Sequence, residues 1–123
     1  SNICSNQNLL ALRSTIFMSL VGREGLVELA TSNHSKAEYL KGKLSSMEGI
    51  EILNVNPTFN EFVMKTHCDA TDVIEQMSAN GFYAGINLGN IFEGLENAIL
   101  VSVTEKRTKE QMDSFVQALG EVI

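Results

Sequence analysis

The chain has 123 residues, 44% hydrophobic and 20% charged, the profile of one ordinary globular domain. A single Pro and nine Gly exclude collagen-like, Pro-rich and low-complexity architectures, and a net charge of −6 argues against a phosphate-tracking nucleic-acid binder. No run reaches the roughly 18–20 apolar residues of a membrane span, and Ser1-Asn2-Ile3-Cys4 lacks the Met and basic residues that open a signal peptide. The expectation is a cytoplasmic chain, with no nucleic-acid or membrane partner, whose first residues read as the middle of something longer.

Gln7 to Val21 (QNLLALRSTIFMSLV) has no Gly or Pro and is dense in Leu and Ile, which predicts a helix. Its apolar residues, Leu9, Leu10, Leu12, Ile16, Phe17, Met18, Leu20 and Val21, run most of the way round. A helix apolar on nearly every side must be covered on nearly every side. The rest of this chain supplies one packing face, so another domain or subunit is expected to cover it. Gly22 and Gly25 punctuate. A second helix is predicted from about Leu26 to Ser46, with Leu26, Ala30, Ala37, Leu40, Leu44 and Met47 on one stripe. Lys36, Lys41 and Lys43 lie off that stripe and read as solvated charges. Thr31-Ser32-Asn33 is its weak point, where a bend is expected.

Past Gly49 the period changes to two. Ile50 and Ile52 flank Glu51, Asn54-Val55-Asn56-Pro57 reads as a turn, and Asn60–Thr66 alternates Phe62 and Met64 with Val63 and Lys65. The short gap predicts an antiparallel hairpin. Asp69 is placed to cap a helix carrying Val73, Ile74 and Met77, which ends at Asn80-Gly81. A third strand is read through Phe82, Ala84, Ile86 and Leu88, then a Gly89–Gly94 loop, then a strand in which Ile99, Val101 and Val103 oppose Leu100, Ser102 and Thr104. Thr108-x-x-Gln111 is a capping box, and Met112, Phe115, Val116, Leu119, Val122 and Ile123 form one apolar face behind it. The order α-α-β-β-α-β-β-α gives an α+β fold with a small, mostly antiparallel sheet and helices on one side.

Catalytic signatures are sparse. Cys4 and Cys68 have no CxxC partner and read as reduced thiols, and His34 and His67 are isolated from metal spacing, so no metal site is expected. Gly85–Asn90 is neither a dinucleotide fingerprint nor a P-loop. Glu93 with Glu96 and Asp69 with Asp72 read as loop and helix-start charges rather than an acid/base pair. Thr104-Glu105-Lys106-Arg107-Thr108 lies between the clearest strand and the best-capped helix, a position suited either to a binding residue or to a solvated connector. With only two histidines, no Ser/His/Asp or Cys/His set can be assembled.

Four strings occur in series: SNICSNQ at residues 1–7, GREGL at 22–26, FNEFVMK at 59–65 and VTEKRTKEQMD at 103–113. Together they resemble the C-terminal part of the glycine cleavage system P-protein, in the subunit 1 type of its two-subunit form. The resemblance implies the C-terminal small domain of a fold-type-I pyridoxal-phosphate enzyme, with residues 1–25 as an interdomain helix segment and 26–123 as the domain. It also names a cover for the first helix, because that helix links large and small domains in such enzymes. The implied reaction decarboxylates glycine on pyridoxal phosphate and passes the aminomethyl group to the lipoyl arm of the H-protein. In the two-subunit form the cofactor lysine is carried by subunit 2, so no cofactor is expected on this chain. Active relatives often place an arginine where the final small-domain strand begins. Here that region reads Glu96-Asn97-Ala98-Ile99, which suits a supporting subunit without catalytic or cofactor-binding residues of its own.

Ser5, Asn6, Gln7 and Arg107 are then the candidates for contact with the partner subunit or for the active-site rim. An isolated fragment is expected to be inactive and to form homo-oligomers through the first helix. Two rival readings stay open: the small domain of another pyridoxal-phosphate enzyme, or a free-standing α+β module that binds a small ligand.

Overall fold

The computed structural model describes residues 5–123, with side chains from Gln7 onward. The element order among them is α1 (Ser5–Ser45), β1 (Ile50–Ile52), β2 (Glu61–Thr66), α2 (Ala70–Ala79), β3 (Ile86–Asn87), β4 (Ala98–Ser102) and α3 (Lys109–Val122). The chain divides into two compact units, Ser1–Thr31 and Ser32–Ile123.

The first unit is helical. The two expected helices follow one another within α1 and are separated at Gly22, where φ 66 and ψ −176 are non-helical. Glycine meets that left-handed φ without the Cβ penalty other residues bear. The interruption therefore falls at the glycine and not at Thr31-Ser32-Asn33, through which the helix continues. Thr15 Oγ1 donates to Ala11 O at 2.9 Å and Ser19 Oγ to Thr15 O at 2.7 Å, so these hydroxyls are satisfied within the helix. The apolar side chains are left outward: Leu9, Leu10, Leu12, Ile16, Phe17 and Met18 are all half-exposed or more, and Leu20 is 81% exposed. Leu26 and Ala30, expected on the stripe of the second helix, are exposed as well.

In the second unit the sheet order is β1-β2-β4-β3, antiparallel at every pairing. The register sets Phe62 opposite Val101 and Met64 opposite Ile99, and all four are buried. These pairs form the inner face because alternate residues of a strand point to the same side. Ala37, Leu40 and Leu44 from α1, Val73 and Met77 from α2, and Met112, Phe115 and Leu119 from α3 complete the core. Phe82 and Phe115 meet edge to face, with ring centroids 5.8 Å apart, an arrangement favoured by the aromatic quadrupole.

Both predicted caps form. Asp69 Oδ1 accepts the Thr71 and Asp72 N–H groups at 2.8 and 3.3 Å. Those bonds favour the ionised form, the Thr71 amide most, and hold the Asp69 carboxyl below its ordinary value. At α3 the Gln111 N–H donates to Thr108 Oγ1 at 3.2 Å and the Thr108 N–H returns to Gln111 Oε1 at 3.0 Å.

The third strand departs from its predicted extent. Only Ile86 and Asn87 pair, and Ile86 is exposed instead of facing inward. Gly85 marks the cause: at φ 143, a Cβ there would stand 2.2 Å from Leu100 O. The backbone comes too close to β4 for any side chain and turns, which breaks the alternation begun at Phe82. Lys41 is the second correction, since it is 7% exposed rather than solvated. Its ammonium donates to Glu38 Oε1 at 2.6 Å, Asn56 O at 3.0 Å and Thr58 Oγ1 at 3.4 Å. Three oxygens from α1 and the 54–60 turn replace its hydration, which is what makes a buried lysine tolerable.

Candidate functional site

A cavity of about 470 Å³ opens in the second unit between the 81–86 segment, the end of β4 and the start of α3. Its floor is apolar, with Phe82, Ala84, Met112 and Phe115, and Ser102, Arg107 and Gln111 supply polar groups. Glu61 also lines it.

The connector that carries Arg107 is held from both sides. Its Glu105 N–H donates to Asn33 Oδ1 at 3.1 Å, and its Glu105 carbonyl accepts from Lys36 Nζ. The Arg107 N–H closes a turn onto Thr104 O at 3.1 Å, and the capping box begins at the next residue. A little further along, Tyr39 OH donates to Asp113 Oδ1 at 2.6 Å, while Lys109 and Lys43 approach the same carboxylate at 3.2 and 3.5 Å. The tyrosine hydroxyl first, then the lysines, keep the Asp113 carboxyl below its ordinary value. Thus α1 fastens the connector and α3 together, and Arg107 projects from a braced turn. Among the described residues its guanidinium enters no ion pair.

The other sequence-selected positions fall elsewhere. Gln7 is exposed on α1 in the first unit, and the side chains of Ser5 and Asn6 lie outside the described residues, as does Cys4. Cys68 is a half-buried free thiol. His34 Nδ1 lies 2.7 Å from Thr58 O, beside the Lys41 cluster, and His67 Nδ1 lies 3.3 Å from Gly49 O. Asp69 is a cap, and Glu96 Oε1 accepts the Gly94 N–H at 3.0 Å, so one member of each carboxylate pair considered for acid/base work has a local structural duty. No group of His, Cys, Asp or Glu able to hold a metal occurs among the described residues. No helix among them is long and apolar enough to cross a membrane. Sequence reasoning missed the contributions of Ser102 and Gln111 to the cavity. For Gln111 the capping box was a usable signal; for Ser102 there was none, because its position depends on where β3 stops.

Comparison with known proteins gives the class first. The fold is that of the small domain of fold-type-I pyridoxal-phosphate enzymes. A phosphoserine aminotransferase from Cytophaga hutchinsonii matches over 90% of this chain and 30% of its own, with TM-score 0.66 and 16% identity. A crystal structure of glycine decarboxylase (P-protein) of the glycine cleavage system, in inhibitor-bound form, matches all of this chain and 28% of its own, with TM-score 0.87 and 29% identity. Residues 1–119 match the glycine cleavage system P-protein family, and the chain belongs to that family. It is 50% identical over 119 residues, 97% of its length, to a probable glycine dehydrogenase (decarboxylating) subunit 1 from Geotalea uraniireducens. It is 42% identical along its whole length to the protein of that name from Moorella thermoacetica. The chain spans 27–28% of the length of these relatives.

Proposed function

We propose that the polypeptide carrying this chain is subunit 1 of a two-subunit glycine decarboxylase, in which residues 1–25 form an interdomain helix segment and 26–123 the C-terminal small domain. The parent enzyme decarboxylates glycine on pyridoxal phosphate and transfers the aminomethyl group to the lipoyl arm of the H-protein in the cytoplasm. The observation that carries this reading is 50% identity across 97% of the chain to a relative named as that subunit.

The cofactor, when bound, draws electrons from the glycine α-carbon. Four of this chain's six lysines have partners of their own, which speaks against a cofactor lysine among those four. Lys41, the buried lysine, is committed to three oxygens of its own cluster, Lys36 to Glu105, and Lys43 and Lys109 to Asp113. We therefore assign the cofactor lysine to the partner, subunit 2. The role left to this chain is support. The apolar 9–27 stretch of α1 docks against protein outside the chain, and Ser5, Asn6, Gln7 and Arg107 face the partner subunit or the active-site rim. The exposed side chains of that helix support the first assignment and the braced, ion-pair-free Arg107 the second. In an isolated fragment the same helix surface drives homo-oligomerisation.

The test is exchange of labelled bicarbonate into the glycine carboxyl group, measured with the full-length polypeptide, subunit 2, pyridoxal phosphate and lipoylated H-protein. Exchange is expected from the complete mixture and from neither subunit alone. A full-length polypeptide that gains activity with no subunit 2 present refutes the division of labour. Exchange absent from every mixture of well-folded components refutes the reaction.

A further inference from the structure

The cavity beside Arg107 has donors and a floor that the proposed reaction leaves without a task. β3 pairs with β4 only through Ile86 with Leu100 and Asn87 with Ile99. Because Val103 N–H donates across the β2 side to Asn60 O, at 2.8 Å, the alternate residues Leu100 and Ser102 turn their peptide groups toward β3. The chain leaves the sheet at Gly85, so the Ser102 N–H and C=O have no strand partner among the described residues, and Ser102 lines the cavity. Arg107 stands on the same wall without an ion pair. Gln111 Oε1 is taken by the Thr108 N–H, which leaves the amide nitrogen to donate. Three kinds of donor thus belong to residues that line one cavity with an apolar floor.

We propose that this cavity binds a small monocarboxylic acid with an apolar body. Its carboxylate is held by the Arg107 guanidinium and the Ser102 peptide N–H, and its body lies over Phe82, Met112 and Phe115. Charge-assisted bonds to a guanidinium are the strong class of hydrogen bond and are directional. The volume of about 470 Å³ lies in the ordinary range for small-molecule sites. Glu61, also on the wall, repels ligand negative charge, so a dicarboxylate, with two charges to one, binds more weakly than a monocarboxylate. Glycine lacks the apolar body, which separates this ligand from the proposed substrate. The inference rests on the proposed rim position of Arg107, which must stay reachable in the assembled enzyme, but not on turnover.

The experiment is calorimetric titration of the complex of full-length polypeptide and subunit 2 with 3-phenylpropionate, its neutral amide, and phenylsuccinate. Saturable binding of 3-phenylpropionate at one site per chain is expected, with the amide and Arg107→Met each weakening it at least about tenfold and phenylsuccinate weaker than the monoacid. Equal affinity for acid and amide, unaltered binding by Arg107→Met, or no saturable heat overturns the proposal. Bicarbonate exchange followed on the same samples separates the two readings. Exchange without probe binding sinks the cavity proposal alone; probe binding without exchange upholds the cavity and counts against the reaction.

Discussion

Leu20 and Leu40 lie on the same helical element, one 81% exposed and the other 3%. The difference is not one of propensity, since both are leucines in a helix. Leu40 belongs to a narrow stripe with Ala37 and Leu44 that meets one sheet face, while the opposite side of the helix carries Glu38 and Lys43. Leu20 belongs to a stretch with apolar residues on all sides and no polar face to turn toward water. The 32–123 unit thus builds a buried core of its own, although Val55, Phe59, Tyr83, Ile91 and Phe92 stay exposed, and the helical stretch before it builds none. A single element can be finished at one end and incomplete at the other, and the incompleteness is readable from the distribution of apolar residues around the axis.

The largest expected effect lies on the finished side. Phe115→Ala, at a site 9% exposed and edge to face with Phe82, should lose about 3–5 kcal/mol of unfolding free energy by denaturant titration. A loss below about 1 kcal/mol would mean that α3 does not bury this face. Next comes Lys41→Met, which keeps the apolar stem but removes three hydrogen bonds and leaves Glu38 without its cation. A loss of about 1–3 kcal/mol is expected. If the methionine variant proves more stable than the parent, the buried charge was a net burden, and the finished region is better described by packing alone.

The regular parts of this contrast were legible in the sequence. The capping box at Thr108, the Asp69 cap, the alternation of Phe62 and Met64 and that of Ile99, Val101 and Val103 all depend on neighbours within a few residues. Lys41 and β3 were not legible, because each is decided by a distant partner. The Asn56 carbonyl and Thr58 hydroxyl come from a turn whose path no local pattern encodes, and Gly85 breaks β3 only because the Leu100 carbonyl stands against it. The site follows the same division. Arg107 could be singled out from its place between a strand and a capped helix. The open peptide edge at Ser102 exists only because a predicted strand ended early.

Smaller effects should separate the caps. Thr108→Ala removes the acceptor for the Gln111 N–H and should cost about 1 kcal/mol. Asp69, Glu38 and Asp113 all have carboxyls lowered from ordinary values of 3.8, 4.5 and 3.8, by the Thr71 amide, the Lys41 ammonium and the Tyr39 hydroxyl respectively. A lowered native value means the unfolded chain binds more protons over that range. The stabilisation is therefore full above the ordinary carboxylate values and is lost as pH falls through the lowered ones. Unfolding titrations on descending pH should show stability declining below about pH 4.5, with a shallower decline in Asp69→Asn. An unchanged slope in that variant would remove Asp69 from the account.

The smallest effect on unfolding is the one that most sharpens the contrast. Leu20→Ser replaces a side chain that, within this chain, touches mostly water, so its unfolding free energy should change by no more than about 0.5 kcal/mol. Its effect on association should be far larger. If the 9–27 stretch meets other protein, sedimentation velocity of the fragment should show assemblies for the parent sequence. A Leu12→Ser, Ile16→Ser, Leu20→Ser triple variant should shift them toward monomer, at unchanged α3 and sheet stability. Apolar area buried between chains contributes roughly 25 cal/mol per Å², so three large side chains on one helix suffice to move that equilibrium measurably. A parent fragment that sediments as a monomer at high concentration would instead mean that this helix tolerates water. The exposed leucines would then be a surface without a partner, and the asymmetry between Leu20 and Leu40 would carry no functional meaning.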